Sequence, residues 1–302
     1  MNLLKIPLTH PNAPCPPARQ RGAALITAML LAALIALLSA AWLVRFDAHL
    51  RTVEAQRAGT QARWLQRAAT DWARMIVQED PQNVDHLREV WAVPIAAVRM
   101  TDVAGAQEAF FSGNLQDAQG LFNVLNLRGA PPPIIVEWAL TLAQNAGLSK
   151  EAAQAWLKQL QTMPAPDTTA NGSDATQLTD VFPAQFTTAQ RDALLAVFIY
   201  LPASTTVNIN TAPQAVLTAH PKLGSAGAAS ALRYRDTAHF KDEANITGAL
   251  QLPSGAIGGT LGVSTAFFIA TGRMTVGRMD IMAKSLMQRS GASSKLIWTL
   301  AL

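Results

Sequence analysis

Residue types that carry chemistry are few in this sequence and widely scattered. Its histidines, His10, His49, His86, His220 and His239, stand in unrelated contexts, with no Gly-x-Ser-x-Gly element and no metal-ligand spacing around them. A lone histidine of this kind is ordinarily a surface or packing residue. The single cysteine, Cys15, lies in a basic, Pro-rich stretch ahead of an apolar run. Once that stretch is removed, the chain has no thiol for catalysis and none for a disulfide. No catalytic residue is expected, and the chain reads as a non-enzyme. The more informative chemistry is chemistry done to the chain. At Arg21-Gly22 the basic stretch meets an uncharged run with no polar spacer, and a glycine at that junction lets the backbone enter a protease site closely.

A second place of interest is "VNINTAPQAVLTAHPKLGSAGAASALRYRDTAHF", residues 207–240. A short strand ends at Asn210. Thr211 is expected to cap the next helix, with Gln214 completing a Thr-x-x-Gln capping box and Pro213 in the first turn. "KLGSAG" then makes a tight turn into a second helix. The pattern is that of a helix-hairpin-helix, whose turn amides can grip phosphates. Here Lys222, Arg233, Arg235 and Lys241 are offset by Asp236, Asp242 and Glu243. Two short helices packing together is the simpler expectation, and no nucleic acid is expected.

The elements that position these residues begin with the run from Ala23 to Val44. It is 22 residues long, about 33 Å as a helix, against about 20 residues needed to span a bilayer and roughly 7 to 15 for the core of a removable signal. Lys5, Arg19 and Arg21 precede it with no acidic residue among the first 22, so its N-terminal side stays cytoplasmic and the remainder is exported. The formal charge of +4 falls to about +1 without those three, so the high pI is no argument for nucleic acid. Beyond the span, Phe46, Leu50, Val53, Ala58, Ala62, Leu65, Ala69, Trp72 and Ile76 recur at helical spacing among polar residues. Span and stripe together predict one helix over 23–77, with Gly59 as a bend and Asp80-Pro81 as a stop.

Strand-like stretches follow, "EVWAVPIAAVRM" and "AFFSGNLQDAQGLFNVLNL", the latter divided by a turn at 117–120. Helices are expected at 134–146, ended by Gly147, and at 150–162, 188–200, 213–219, 226–235 and 242–251, with a polar loop at 164–180. The last part, "AFFIATGRMTVGRMDIMAKSLMQ" and "KLIWTLAL", reads as three antiparallel strands, the first two joined near Gly277. Long helix, strands, helices, strands is the order of an α+β domain carrying an inserted helical domain.

A basic leader ending in Gly and running straight into a spanning helix resembles the precursors of the type IV pilin class. With "RGAALITAMLLAALIALLSA" at the junction, "DAQGLFNVLNL" at 117–127, "LPASTTVNINTAPQAVLTA" at 201–219, "SALRYRDTAHF" at 230–240 and the strands after Ala266, the chain resembles one family across nearly its whole length. That family is the type II secretion system minor pseudopilin general secretion pathway protein K.

The resemblance implies a pilin-like fold, a long N-terminal helix plus an antiparallel sheet, with a large inserted helical domain containing a helix-hairpin-helix or SAM-like unit. The implied divisions are a prepilin leader at 1–22, a transmembrane part at 23–44, pilin-like parts at 45–127 and 253–302, and the insert at 128–252. It implies cleavage between Gly22 and Ala23 by prepilin peptidase and N-methylation of Ala23. Thr27 stands at the fifth mature position, where most pilins have a Glu able to pair with a neighbour's terminal amine; a threonine hydroxyl can instead bond to its own helix backbone. The implied partners are the I-, J- and H-type minor pseudopilins, the major pseudopilin, the inner-membrane assembly platform, and a secreted substrate or the secretin. The helix face carrying Leu50, Val53, Leu65 and Trp72 would meet the pseudopilins. Relatives bind calcium in an acidic stretch; here the equivalent loop has only Asp167, Asp174 and Asp180, loosely spaced, so no cofactor is expected. A reading from a different class is an inner-membrane-anchored DNA-binding protein of a competence or type IV pilus, using the hairpin at 207–240.

Overall fold

A computed structural model describes residues 21–100, 108–163, 177–277 and 279–301. The leader residues 1–20, and Asp167 and Asp174 of the proposed acidic loop, lie outside the described residues.

Helix α1 runs unbroken over Arg21–Glu79, so Gly59 does not end or interrupt it. Residues 58–302 form one compact unit and are described first. Within it the C-terminal end of α1 packs through small side chains. Ala58 and Ala62 are buried against Ala109, Met274 and Val276, and Val77 against Trp91 and Phe268. Alanine lets a helix approach a sheet closely.

The sheet has five strands in the order β1-β2-β7-β8-β9, all neighbours antiparallel: β1 (Ile95–Arg99), β2 (Ala109–Asp117), β7 (Phe267–Val276), β8 (Met279–Ser290) and β9 (Ser293–Ala301). The three closing strands stand where the sequence places them. β2 pairs with β7 from Ala109↔Val276 to Asp117↔Phe268, so the chain leaves the sheet at the end of β2 and returns to the same edge. Alternation along β7 serves both faces. Phe268, Met274 and Val276 face α1, while Phe267 and Ile269 pack on Ile199 and Leu201 of the intervening segment.

That segment holds α2 (Pro133–Asn145), α3 (Lys150–Gln161), α4 (Thr188–Leu195), α5 (Gln214–Ala219), α6 (Gly224–Thr237) and α7 (Glu243–Ala249), with the two-residue strands β3 (Phe122–Asn123), β4 (Phe198–Ile199), β5 (Val207–Asn208) and β6 (Leu261–Gly262). Its core is one continuous apolar cluster from Phe122 to Leu261. At its centre Phe122 meets Trp138 and Phe198 edge-on at 5.1 and 5.5 Å, and Trp156 meets Phe198 edge-on at 5.3 Å, the arrangement aromatic quadrupoles favour. Ser149 caps α3, Thr187 and Gln190 form a capping box on α4, and Gly147, at φ +90°, lets the chain leave α2.

Two expectations fail here. The helix expected over 188–200 stops at Leu195, because Phe198 and Ile199 turn into a parallel pair with Phe122 and Asn123, Phe198 filling the aromatic core and Ile199 packing on the sheet. A short continuous apolar run such as 194–201 cannot be assigned by periodicity. The run after the 117–120 turn is likewise no sheet strand. It becomes β3 and a 3-10 turn at Val124–Leu127, whose apolar side chains join the helical core.

Candidate assembly site

In the other compact unit, residues 1–57, the span is unlike any core helix. Leu25, Leu30, Ile35, Trp42 and Val44 are each more than half exposed, and the stretch is long and apolar enough to cross a membrane with none of it buried. Surface of this kind is stable only in lipid or against similar helices. Thr27 Oγ1 donates to Ala24 O at 3.0 Å, so its hydroxyl is satisfied by its own helix, as expected. Gly22 and Ala23 lie inside α1.

The four residues expected to form a partner face divide. Leu50 is 44% and Trp72 43% exposed; Val53 is half-buried. Leu65 is half-buried against the cluster of Ala58, Ala62 and Met274, so it serves the protein's own sheet. The most exposed aromatic beyond the apolar span lies outside the expected face: Trp64, at 66%. Met75, eleven residues on and thus about three turns away on the same side, is exposed as well. The available signal was that Trp64 falls on the polar face of an amphipathic pattern, where an aromatic has no intramolecular use.

Beside that face lies an apolar cleft of about 230 Å³ lined by Trp72, Ile76, Trp91, Val93, Phe111 and Met274 among others. Two glycines shape it. A Cβ on Gly113 would come within 2.8 Å of the Phe111 ring and 2.9 Å of Thr271 O, and one on Gly272 within 3.0 Å of the same ring. Phe111 therefore lies flat across the sheet only because both positions are bare.

At the seam between sheet and helical segment is a buried polar network. Arg289, almost wholly buried, donates to Asp85 Oδ1 and Oδ2 at 2.6 and 2.7 Å, to Asp80 Oδ2 at 2.9 Å and to Thr265 O at 2.8 Å. Asp117 closes the end of β2: its Oδ2 accepts from Asn208 Nδ2 and Thr211 Oγ1, both at 2.7 Å, and its Oδ1 from Gln119 N. Asn208 Nδ2 also reaches Asp85 O at 3.0 Å. Burial pushes the Asp117 carboxyl up, and pushes that of Asp85 up to about 7 against the pull of Thr265 N–H and Arg289. The carboxylates of Asp80, Asp85 and Glu89 lie close together, but the Arg289 guanidinium occupies the place a cation would take. Asp180 is spent on Gln177 N at 2.7 Å.

This network corrects the capping expectation. Thr211 gives its hydroxyl to Asp117 and caps nothing; α5 starts after Pro213 with no side-chain cap. The rest of 207–240 does form two packed helices, α5 and α6, joined at Gly224 with φ +58°. Part of its turn and one of its cations are engaged internally. The Leu223, Gly224 and Gly227 amides donate to backbone carbonyls, and Arg235 Nη1 donates to Ile209 O and Ala212 O at 3.2 and 2.7 Å. The histidines divide. His220 is a packing residue, as expected: buried, 3.0 Å from Thr260 Oγ1 and edge-on to Trp138, with burial lowering it to about 4. His86 and His239, remote in sequence, stack on each other.

Residues 207–264 match the family described as type II secretion system (T2SS), protein K. The fold is similar to a chain of the GspK-GspI-GspJ complex from the enterotoxigenic Escherichia coli type 2 secretion system, with TM-score 0.63 and 17% identity over 82% of this chain and 98% of that one. No curated protein sequence matches the chain significantly. These findings bear out the resemblance drawn from the sequence: the fold has a pilin-like helix and sheet with an interposed helical part, residues 207–264 match protein K, and one N-terminal helix is long and apolar enough to be a single-pass anchor. Nothing in the comparisons supports the DNA-binding reading.

Proposed function

We propose that this chain is a minor pseudopilin at the tip of a type II secretion pseudopilus, acting as a structural subunit and not as a catalyst. In this reading prepilin peptidase cuts between Gly22 and Ala23, Ala23 is N-methylated, and residues 23–44 hold the protein in the inner membrane with residues beyond 44 in the periplasm. I-, J- and H-type minor pseudopilins pack on the exposed side of α1, the major pseudopilin continues the fibre below, and the tip helps to start assembly at the inner-membrane platform and meets secreted protein or the secretin. The reading needs no cofactor.

The observation that carries it is the combination in one chain of a spanning helix with no internal cover and a 207–264 segment matching protein K, seated in a fold like that of the chain solved with GspI and GspJ. Two features support a tip position. Thr27 donates its hydroxyl within its own helix and offers no carboxylate to the amine of a subunit above. The helical segment adds a complete core to the pilin-like part, bulk that suits the end of a fibre better than its shaft.

Two measurements test this. Intact-mass analysis of the membrane form should give a chain starting at Ala23, and Gly22→Val should retain the leader; a mature terminus near Ala41 would refute the processing. Co-expression with its I- and J-type neighbours should yield a co-purifying complex through the full chain. Failure to form one would remove the tip assignment.

A further inference from the structure

His86 and His239 come together from distant parts of the chain, with ring centroids 4.2 Å apart and planes 33° from parallel. The geometry fixes the state of one ring. The backbone N–H of Arg88 donates to His86 Nδ1 at 3.3 Å, and since an amide can only donate, Nδ1 is bare and the proton sits on Nε2. The same residue then turns its guanidinium onto the end of α6. Arg88 Nη1 donates to Thr237 O at 3.3 Å, and Nη2 to Arg235 O at 3.2 Å and to Asp236 O. These are carbonyls that a helix end leaves without internal partners, and a cation there also meets the negative end of the helix dipole. A helix cap is thus held in place by a neutral histidine, and the second histidine lies two residues beyond that helix.

We propose that the His86–His239 stack is a proton-operated clasp that fastens the C-terminal end of α6 to the 84–89 segment and releases it in mild acid. A proton taken up by His239 places a positive charge about 4 Å from the His86 ring that accepts the Arg88 N–H, and near the Arg88 guanidinium that caps α6, loosening both. The charged groups around the pair are Arg88 and Glu89 from the 84–89 segment, and Arg235, Asp236 and Lys241 from α6 and the turn after it. Glu89 Oε1 lies 3.9 Å from His86 Nε2, and Glu89 is already engaged by His86 N and Trp91 Nε1. Burial, then His86 and Lys241, hold His239 below the usual histidine range. A base depressed in the folded state takes its proton more readily when released. The clasp is therefore fully closed above the free-histidine value of about 6.5 and weakens as pH falls through the lower folded value. None of this depends on the secretion reading.

The test is hydrogen exchange of the full chain in detergent at pH 7.5 and 5.5, corrected for the intrinsic pH dependence of exchange. Amides of 84–89 and 233–240 should exchange severalfold faster at the lower pH, while α2 stays protected. His239→Phe keeps a ring to stack without a titratable nitrogen, and His86→Gln keeps an acceptor for Arg88 N–H; each should remove most of the acid response. Should one variant fail to fold, the other carries the test. Equal protection at both pH values, an undiminished response in a folded variant, or loosening confined to the surroundings of His220 would overturn the proposal.

Discussion

The helical segment closes its aromatic residues into one core, whereas the α1–sheet half leaves part of its apolar surface open. In the helical segment Phe122, Trp138, Trp156 and Phe198 are essentially inaccessible and meet edge-on, and Phe240, equally buried, stacks on Tyr234. In the α1–sheet half Trp91, Phe267 and Phe268 are buried, but Trp64, Trp72, Val90, Val93 and Phe110 remain exposed, and the cores are three small clusters divided between the two faces of the sheet. One region completes its own interior. The other leaves apolar surface of the kind that marks an interaction site. On the proposed function, assembly belongs to the second region, and changes in the core of the first come at the expense of folding.

The strongest way to break this contrast is Trp138→Ala. The side chain is 1% exposed and its Nε1 donates to Val216 O at 2.9 Å, so truncation should cost about 4 kcal/mol. Calorimetry should show a fall of roughly 10 °C in the unfolding midpoint. A loss below about 1 kcal/mol would mean that the helical core is not the rigid partner in the comparison.

Next is the seam that joins the two regions. Arg289→Met leaves Asp80 and Asp85 without their shared cation and should cost about 3 kcal/mol in denaturant unfolding. If the seam fastens the regions together, unfolding should also lose cooperativity and the helical segment should outlast the sheet.

Acid sharpens the comparison further. His220 sits inside the helical core with its folded value lowered to about 4. The unfolded chain therefore takes up the proton first, and the stability held above about pH 6.5 is lost as pH falls through about 4, by roughly 2–3 kcal/mol. The raised Asp85 acts in the opposite sense: its contribution is present in acid and fades as pH rises through about 7. Urea titrations of His220→Gln should show a flatter acid limb than the parent, and an unchanged limb would assign the loss elsewhere.

The smallest effect on folding, and the most telling for assembly, belongs to Trp64→Asp. With the side chain 66% exposed, stability should change by less than about 0.5 kcal/mol, while co-purification with the minor pseudopilin neighbours should be lost. Leu65→Asp, half-buried on its own sheet, should instead damage both.

How much was legible in advance follows from the range of the interaction concerned. The 22 uncharged residues from Ala23 to Val44 give a helix long and apolar enough to span a bilayer whatever surrounds them. Alanines at helical spacing mark the sheet-facing side of α1, Gly147 ends α2 because only glycine enters its conformation without strain, and alternating strands after Ala266 form a meander. Each of these is a local consequence of side-chain shape, period or backbone freedom. Four features were set by partners remote in sequence. Phe198 leaves a helix-like run because Phe122 and Trp156 wait for it; Thr211 is taken from its cap by Asp117; Arg289 neutralises acids more than two hundred residues earlier; and His86 finds His239. No spacing rule reaches them, since a hydrogen-bond donor, an ion or a ring is satisfied by whatever the fold brings within 3–5 Å, and only the closed tertiary structure decides what that is.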